Sequence, residues 1–477
     1  MIYLVTKQTE LFSNNTYKII SVEESLQLLN TLTIVGLDTE TSGLDPYTKD
    51  LITVQLGCFD FQVVIDCKTI DITLYKDFLE SDRLFLGWNI KFDLKWLFKY
   101  RIVPKRVYDG FLAEKLMWLG YPVGMHSMSL KSAGQLYLGV ELDKTIRGKI
   151  IYSGLQEDII CYAANDVKYL EDIYKEQLKG LKERDLLTAI DYENKFVLPL
   201  SYCEYCGIKL DKNKWLEKMR KDQGKLDNAQ KALDNWVVER FPSNSKYTYI
   251  NKQGDLFNGF DLAPKCTINW NSSKQVIPLL EELGFNLLVK DKATGEQKKS
   301  VEAKVIKPQL EVSSIAPIYL EYKAAQKIVS TYGQNFIDQI NPVSGRIHTN
   351  YQQLGADTTR ITSGGKDKSS NTEYINFLNF PSKEETRSCM VAENGNKWIS
   401  IDYSSQETYL LASIAADKAI IEELTNGSGD IHSLTAYMSY KEIPRDTPIK
   451  DITKLYHEYR QEAKGIEFAI NKITIFI

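Results

Sequence analysis

Residues 34–46 read IVGLDTETSGLDP, an apolar run that leads into Asp38 and Glu40 one residue apart. Side chains two positions apart on a strand share one face, so these carboxylates stand side by side. Two like charges at that spacing repel, and a fold keeps them usefully when a cation sits against both. The stretch therefore demands a strand whose body is buried and whose end is either acidic and metal-holding or simply exposed. On these residues alone the two readings weigh equally.

Two more segments shift the balance. GWNIKFDLKWL places Asp93 early in a helix with Asn89 four residues before it, and CYAANDVKYL places Tyr162 and Asp166 one helical turn apart. Each has a bland reading as a polar face of an amphipathic helix. Together they give four carboxylates and a phenol, hard oxygen groups of the kind Mg²⁺ and Mn²⁺ prefer. No Ser/His or Cys/His pair offers a covalent nucleophile.

These three segments resemble the motifs of 3′–5′ exonucleases of the DEDD superfamily, in the tyrosine subtype. The histidine subtype carries His five residues before the last Asp, where this chain has Cys161. The resemblance implies an RNase H-like domain, with a mixed sheet flanked by helices. It further implies that Asp38, Glu40, Asp93 and Asp166 hold two divalent ions, Mg²⁺ or Mn²⁺, about 3.5–4 Å apart. Tyr162 would orient the attacking water, and Asn89 would touch the single-stranded 3′ end of DNA. KSAGQLYLGVELDKTIR resembles the helix and linker between the second and third motifs.

A second group of segments follows. KWISIDYSSQETYLLASIAAD, read as an apolar strand ending at Asp402 and then a helix, resembles motif A of family A DNA polymerases, usually written DYSQIELR. Asp402, Tyr403, Ser404 and Glu407 fall in register, whereas Ser405, Gln406, Thr408 and Tyr409 depart from it. The family implies Asp402 as a metal ligand and Glu407 as the floor of the nucleotide sugar pocket. TTRITSGG and NFLNFP resemble further family segments, making Arg360 and Asn379 DNA contacts. Arg387 follows at the place of the family's arginine before motif A, and INWNSSKQVIPLL is similar to the thumb segment that grips duplex DNA. DIHSLTA puts His432 near the incoming phosphates.

RQEAKGIEFA resembles the start of motif B, the nucleotide-binding helix. Arg460 and Lys464 would bind deoxynucleotide phosphates, Lys464 would also give a proton to the departing pyrophosphate, and Phe468 would pack on the nascent base pair. Glu467 stands for a typical Asn, Ala469 for a typical Gly, and the closing KITIFI is β-rich. The family's second palm carboxylate is expected downstream and does not occur in this sequence. Primer extension by this chain alone is therefore expected to be negligible, with Mg²⁺ seated at the polymerase site only once that site is completed. A second polypeptide supplying the remaining fingers and palm is the partner this implies.

The expected architecture is α/β and α+β multidomain: an exonuclease domain over 1–187, a mainly helical thumb over 188–343, a partial palm over 344–412 and incomplete fingers over 413–477. Strands are expected at Thr33–Leu37, Leu51–Phe59, Val63–Ile65 and Leu84–Gly87, with helices at Leu74–Glu80, Phe92–Phe98, Trp215–Arg240 and Pro317–Ile340, Pro317 taking the first position of the last. A net charge of -4 gives no global attraction to nucleic acid. DNA binding must then come from local patches such as KDKATGEQKKSVEAKVIKP, which includes Lys298 and Lys299.

Seven scattered cysteines fit a reducing compartment. The Cys203/Cys206 pair reads as a helix end and not as a zinc site, because no second pair sits at zinc spacing. The N-terminus lacks a signal-peptide pattern, and no run reaches the roughly 18 apolar residues of a membrane span. The cytoplasm of a bacterium or phage-infected cell is the expected location. Two rival readings are a stand-alone RNase D-like exonuclease with a helical nucleic-acid-binding region and a non-catalytic DNA-binding subunit. Register with motifs A and B speaks against the first, and retention of all four carboxylates speaks against the second.

Overall fold

The computed structural model describes residues 1–474 except 123, 143–153, 244, 251–262, 292–294 and 367–371, and gives backbone alone for 468–474. The chain forms two compact units, Met1–Asn394 and Gly395–Ile477.

The first unit opens with a seven-stranded sheet in the order β2-β1-β5-β4-β3-β6-β7. Its strands are β1 (Ile2–Val5), β2 (Tyr17–Ile19), β3 (Ile34–Thr41), β4 (Leu51–Gly57), β5 (Gln62–Asp66), β6 (Leu84–Gly87) and β7 (Arg106–Asp109). β4 runs antiparallel to both β3 and β5, and the remaining pairs are parallel. β4 and β5 are buried at every residue, as the continuous runs LITVQLG and QVVID require of central strands. The four strands expected in this sheet form at or near their places. β1, β2 and β7 were not expected from sequence.

The helix Glu157–Lys168 lies across β3, β4 and β5. It sits close because Gly36 has no side chain, and a Cβ there would meet the Val167 carbonyl oxygen at 2.7 Å. That approach sets the height of Asp166 above β3.

The helix Leu187–Cys206 leaves this domain, ending at Gly207 in the left-handed region with φ 63°. Cys203 and Cys206 are both free thiols. Next, Lys212–Arg240 is capped by Asp211, which accepts from the backbone of Asn213 and Lys214, and packs along Ile315–Thr331. Leu233, Val237, Val276, Leu279, Ile315 and Tyr319 form the core between them.

Four sequence expectations need correction, the last of them in the final helix. Pro317 is the third helical residue rather than the first, because the helix starts at Ile315; its missing N–H still falls in the turn where no intrahelical acceptor exists. That helix also stops at Thr331, and a separate turn, Gln334–Asp338, follows Gly333, whose extended backbone breaks the run. WISIDYSS forms no strand. Ile399 and Ile401 are 78% and 89% exposed in coil, since a strand needs a hydrogen-bonded neighbour and none of the described residues provides one.

The second unit is helical: Gln406–Ile414, Lys418–Thr425, Ile431–Ser439, Ile449–Leu455 and His457–Thr474. The β-rich reading of KITIFI is corrected through Thr474, where the last helix propagates over the β-branched residues at little cost once nucleated.

Candidate active site

β3 delivers Asp38 and Glu40, and the helix Glu157–Lys168 delivers Asp166. One carboxylate oxygen from each lies within 4.8 Å of the others, the single such grouping among the described residues. Tyr162, one turn before Asp166, is buried at the same cleft. The cleft is about 1290 Å³ and is also lined by Asn89, Asp93, Phe92 and Tyr351.

Asp93 stands outside that trio. It is buried on the helix Lys91–Lys99 and accepts a 2.6 Å hydrogen bond from the Thr39 hydroxyl, the residue between Asp38 and Glu40. Burial pushes its pKa up to about 8, against the Thr39 bond, and the neighbouring Asp109 and Glu40 charges push the same way. Asp109 is likewise raised to about 6 by burial, although it accepts from the backbone N–H groups of Asn89 (2.8 Å) and Phe111 (3.0 Å). The first of those bonds holds Asn89 in the left-handed region (φ 58°), which Asn tolerates better than most residues.

An acidic set drawn from a strand and two helices, with one member driven toward neutrality by burial, offers the donor chemistry that a hard divalent cation takes. Three of the four expected ligands are thus brought together, and the fourth is tied to the same strand through Thr39.

Thr39, Asp109 and Glu204 were missed from sequence. The YDGF stretch carried an N-cap signal for Asp109, which caps the helix Gly110–Met117. Glu204 follows Val197 and Ser201 at four- and three-residue steps on the buried face of its helix, so a charged residue inside an apolar period was visible.

The expected DNA contacts lie elsewhere in the first unit. Lys298 and Lys299 sit on the hairpin Leu288–Lys290/Gln297–Lys299, paired with Asp291 (2.5 Å) and Glu281 (2.6 Å). Arg360 is exposed in coil, and Asn379 is exposed with its carbonyl held by the Tyr332 hydroxyl at 2.6 Å.

The expected nucleotide-site residues belong to the second unit. Asp402 is exposed in coil and Glu407 is exposed in the first turn of its helix. Lys464 is half-buried, and Arg460 grips Asp430 through Nε (2.9 Å) and Nη2 (3.0 Å). His432 is buried and hydrogen-bonded to Glu467. The Phe468 side chain lies outside the described residues.

Residues 15–182 match the family described as 3′-5′ exonuclease, and residues 258–471 match DNA polymerase family A. DNA polymerase I of Borreliella burgdorferi is 27% identical over 94% of this chain and 46% of its own length. DNA polymerase I of Aquifex aeolicus is 25% identical over 94% and 70%, and the DNA polymerase of Escherichia phage T5 is 24% identical over 94% and 53%. The chain thus spans about half the length of the first of these relatives. Among solved structures, the POL domain of Pol1 from M. smegmatis, in complex with DNA primer-template and dNTP, matches 98% of this chain and 71% of its own. The TM-score is 0.69 at 20% identity, a likeness of fold.

Residues 15–182, which hold most of the mixed sheet and the acidic cleft, match a 3′-5′ exonuclease domain. Residues 258–471 belong by this match to DNA polymerase family A, and the exonuclease match precedes them. A stand-alone exonuclease would lack the second match.

Proposed function

We propose that the first domain removes nucleotides from the single-stranded 3′ end of DNA as the proofreading activity of a family A polymerase. The observation that carries this is the trio of carboxylates, contributed by two separate elements, within 4.8 Å. Asp38, Glu40, Asp166 and Asp93 would hold two divalent cations, Mg²⁺ or Mn²⁺. When bound, such a pair supplies Lewis-acid activation of water and neutralises the leaving oxygen. Tyr162 orients the attacking water through its hydroxyl. Asn89 and the aromatic wall of the cleft hold the terminal nucleotides. Thr39 fixes the Asp93 carboxylate.

The wider polymerase reading assigns DNA synthesis on a primer-template from deoxynucleotides to residues 188–477, divided as thumb, palm and fingers at 343 and 412. Arg360, Asn379, Lys298 and Lys299 contact DNA. Asp402 and Lys464 serve the chemistry, with Glu407, His432, Arg460 and Phe468 around the nucleotide. Arg460 reaches a phosphate by exchanging Asp430 for it. Synthesis needs a second palm carboxylate beyond these residues, on the same polypeptide or on a second one. The free cysteines support action in a reducing cytoplasm.

The test uses a 5′-labelled single-stranded DNA and an RNA of the same sequence, with Mg²⁺ or Mn²⁺ and with chelator. Metal-dependent 3′ shortening of DNA, abolished by Asp38→Ala in a folded protein, is expected. Hydrolysis that survives Asp38→Ala, or that acts on RNA alone, overturns the reading.

A further inference from the structure

We infer that Glu204 is a positioning residue of the exonuclease site, clamping the helix that presents Asp93. The inference rests on the exonuclease reading above. Asp93 belongs to the nine-residue helix Lys91–Lys99, which has no side-chain cap at its start. So short a helix has little intrinsic stability and takes its orientation from what it is packed and bonded to.

Lys91 and Lys95 are one turn apart and share a face, while Asp93 lies about 200° round the axis from Lys91. The Asp93 side is fixed to β3 by Thr39. The lysine side is fixed by Glu204, near the end of Leu187–Cys206, whose side chain is 1% exposed. Lys91 Nζ bonds to Glu204 Oε1, and Lys95 Nζ to Oε2 at 2.9 Å.

Glu204 Oε1 also accepts the Tyr351 backbone N–H at 2.6 Å. Lys91 donates onward to Asn350 Oδ1 at 3.0 Å and to the Tyr351 carbonyl. One buried carboxylate therefore joins three pieces of chain: the Asp93 helix, the end of Leu187–Cys206, and residues 350–351. The two lysines outweigh its burial and hold its carboxyl below the usual range. Removing that charge would leave two ammonium groups together and largely buried, an arrangement that relaxes by moving apart. Because the helix is rigid, movement on the lysine face is movement of Asp93 relative to Asp38 and Glu40.

Mn²⁺ binding to the full chain by calorimetry tests this, with Asp38→Ala identifying the exonuclease component. Glu204→Gln, close to Glu in size and shape, is expected to weaken that component about tenfold, the scale for groups that orient metal ligands. In hydrolysis the half-saturating metal concentration should rise while KM for single-stranded DNA holds, and Glu204→Asp should restore part of the loss. A folded Glu204→Gln protein that binds Mn²⁺ as wild type does overturns the inference.

Should Glu204→Gln fail to fold, Lys95→Met removes one arm of the clamp from a partly exposed position. It must weaken Mn²⁺ binding in the same direction, and unchanged binding is equally fatal. If wild type neither hydrolyses DNA nor loses Mn²⁺ binding on Asp38→Ala, the exonuclease reading has failed. If wild type passes both and the Glu204 variant matches it, the clamp alone has failed.

Discussion

Gly36 on β3 lies against Val167 so closely that a Cβ would come within 2.7 Å of the Val167 carbonyl oxygen and 3.0 Å of its Cβ. Val167 is the neighbour of Asp166, so this contact sets how near the helical carboxylate comes to Asp38 and Glu40. Gly36→Ala keeps every candidate ligand and presses chiefly on that spacing, with a lesser 3.2 Å approach to the Gly57 carbonyl oxygen. Overpacking of this kind costs about 1–3 kcal/mol, and a ligand displaced by about 1 Å costs on the order of 100-fold in rate. Metal-dependent hydrolysis should therefore fall steeply while the thermal midpoint drops modestly. A variant with wild-type rate would show that the helix height is not set here.

Primer extension is the complementary measurement. Among the described residues the only carboxylates gathered at metal-holding distance are Asp38, Glu40 and Asp166, whereas Asp402 is exposed in coil. Two fixed cations are needed to align the attacking 3′ oxygen with the leaving pyrophosphate. The purified 477-residue chain, given Mg²⁺, a primer-template and four deoxynucleotides, is expected to shorten the primer and not to extend it. Templated extension would mean that Asp402 gains a partner from within this chain.

The parts of the fold that were legible from sequence share a physical cause. β3 and β4 carry long apolar runs, and Tyr162 and Asp166 lie one turn apart on a helix that must bury one face. What could not be read depends on tertiary contact. The Thr39–Asp93 bond spans 54 residues, and the Glu204 cluster joins segments more than a hundred residues apart. WISIDYSS shows the converse. Its apolar β-branched residues have strand propensity, but propensity gives no ladder partner, and the segment is coil.

Lys298 and Lys299 allow a quantitative check of the thumb assignment. Both are paired with acids at the surface, and such exposed, solvent-screened pairs yield readily to a phosphate. If each lysine neutralises one phosphate of duplex DNA, replacing both with Ala should reduce the slope of log K against log salt by about 1.8. Titrations over several salt concentrations measure that slope directly. An unchanged slope would return both residues to the role seen here, as partners of Asp291 and Glu281.

The second unit carries its own pH dependence. Asp430 caps the helix Ile431–Ser439 through the Ser433 N–H at 3.2 Å and also holds Arg460. Burial raises its pKa, but the bonds from Arg460 and Ser433 outweigh this and bring it down to about 2 from 3.8. A carboxylate lowered on folding contributes stability in full above its unfolded value, near 4, and loses it as the pH falls toward 2. Solvent still reaches and screens this partly exposed pair, so the contribution is about 1 kcal/mol. Amide exchange in Ile431–Ser439 should lose protection between pH 4 and about 2 in the wild type, beyond the intrinsic change in exchange rate. Asp430→Asn should begin with less protection and show no such step, because its amide does not titrate. Equal steps in both proteins would place the titrating group elsewhere and leave Arg460 free of this pairing in solution.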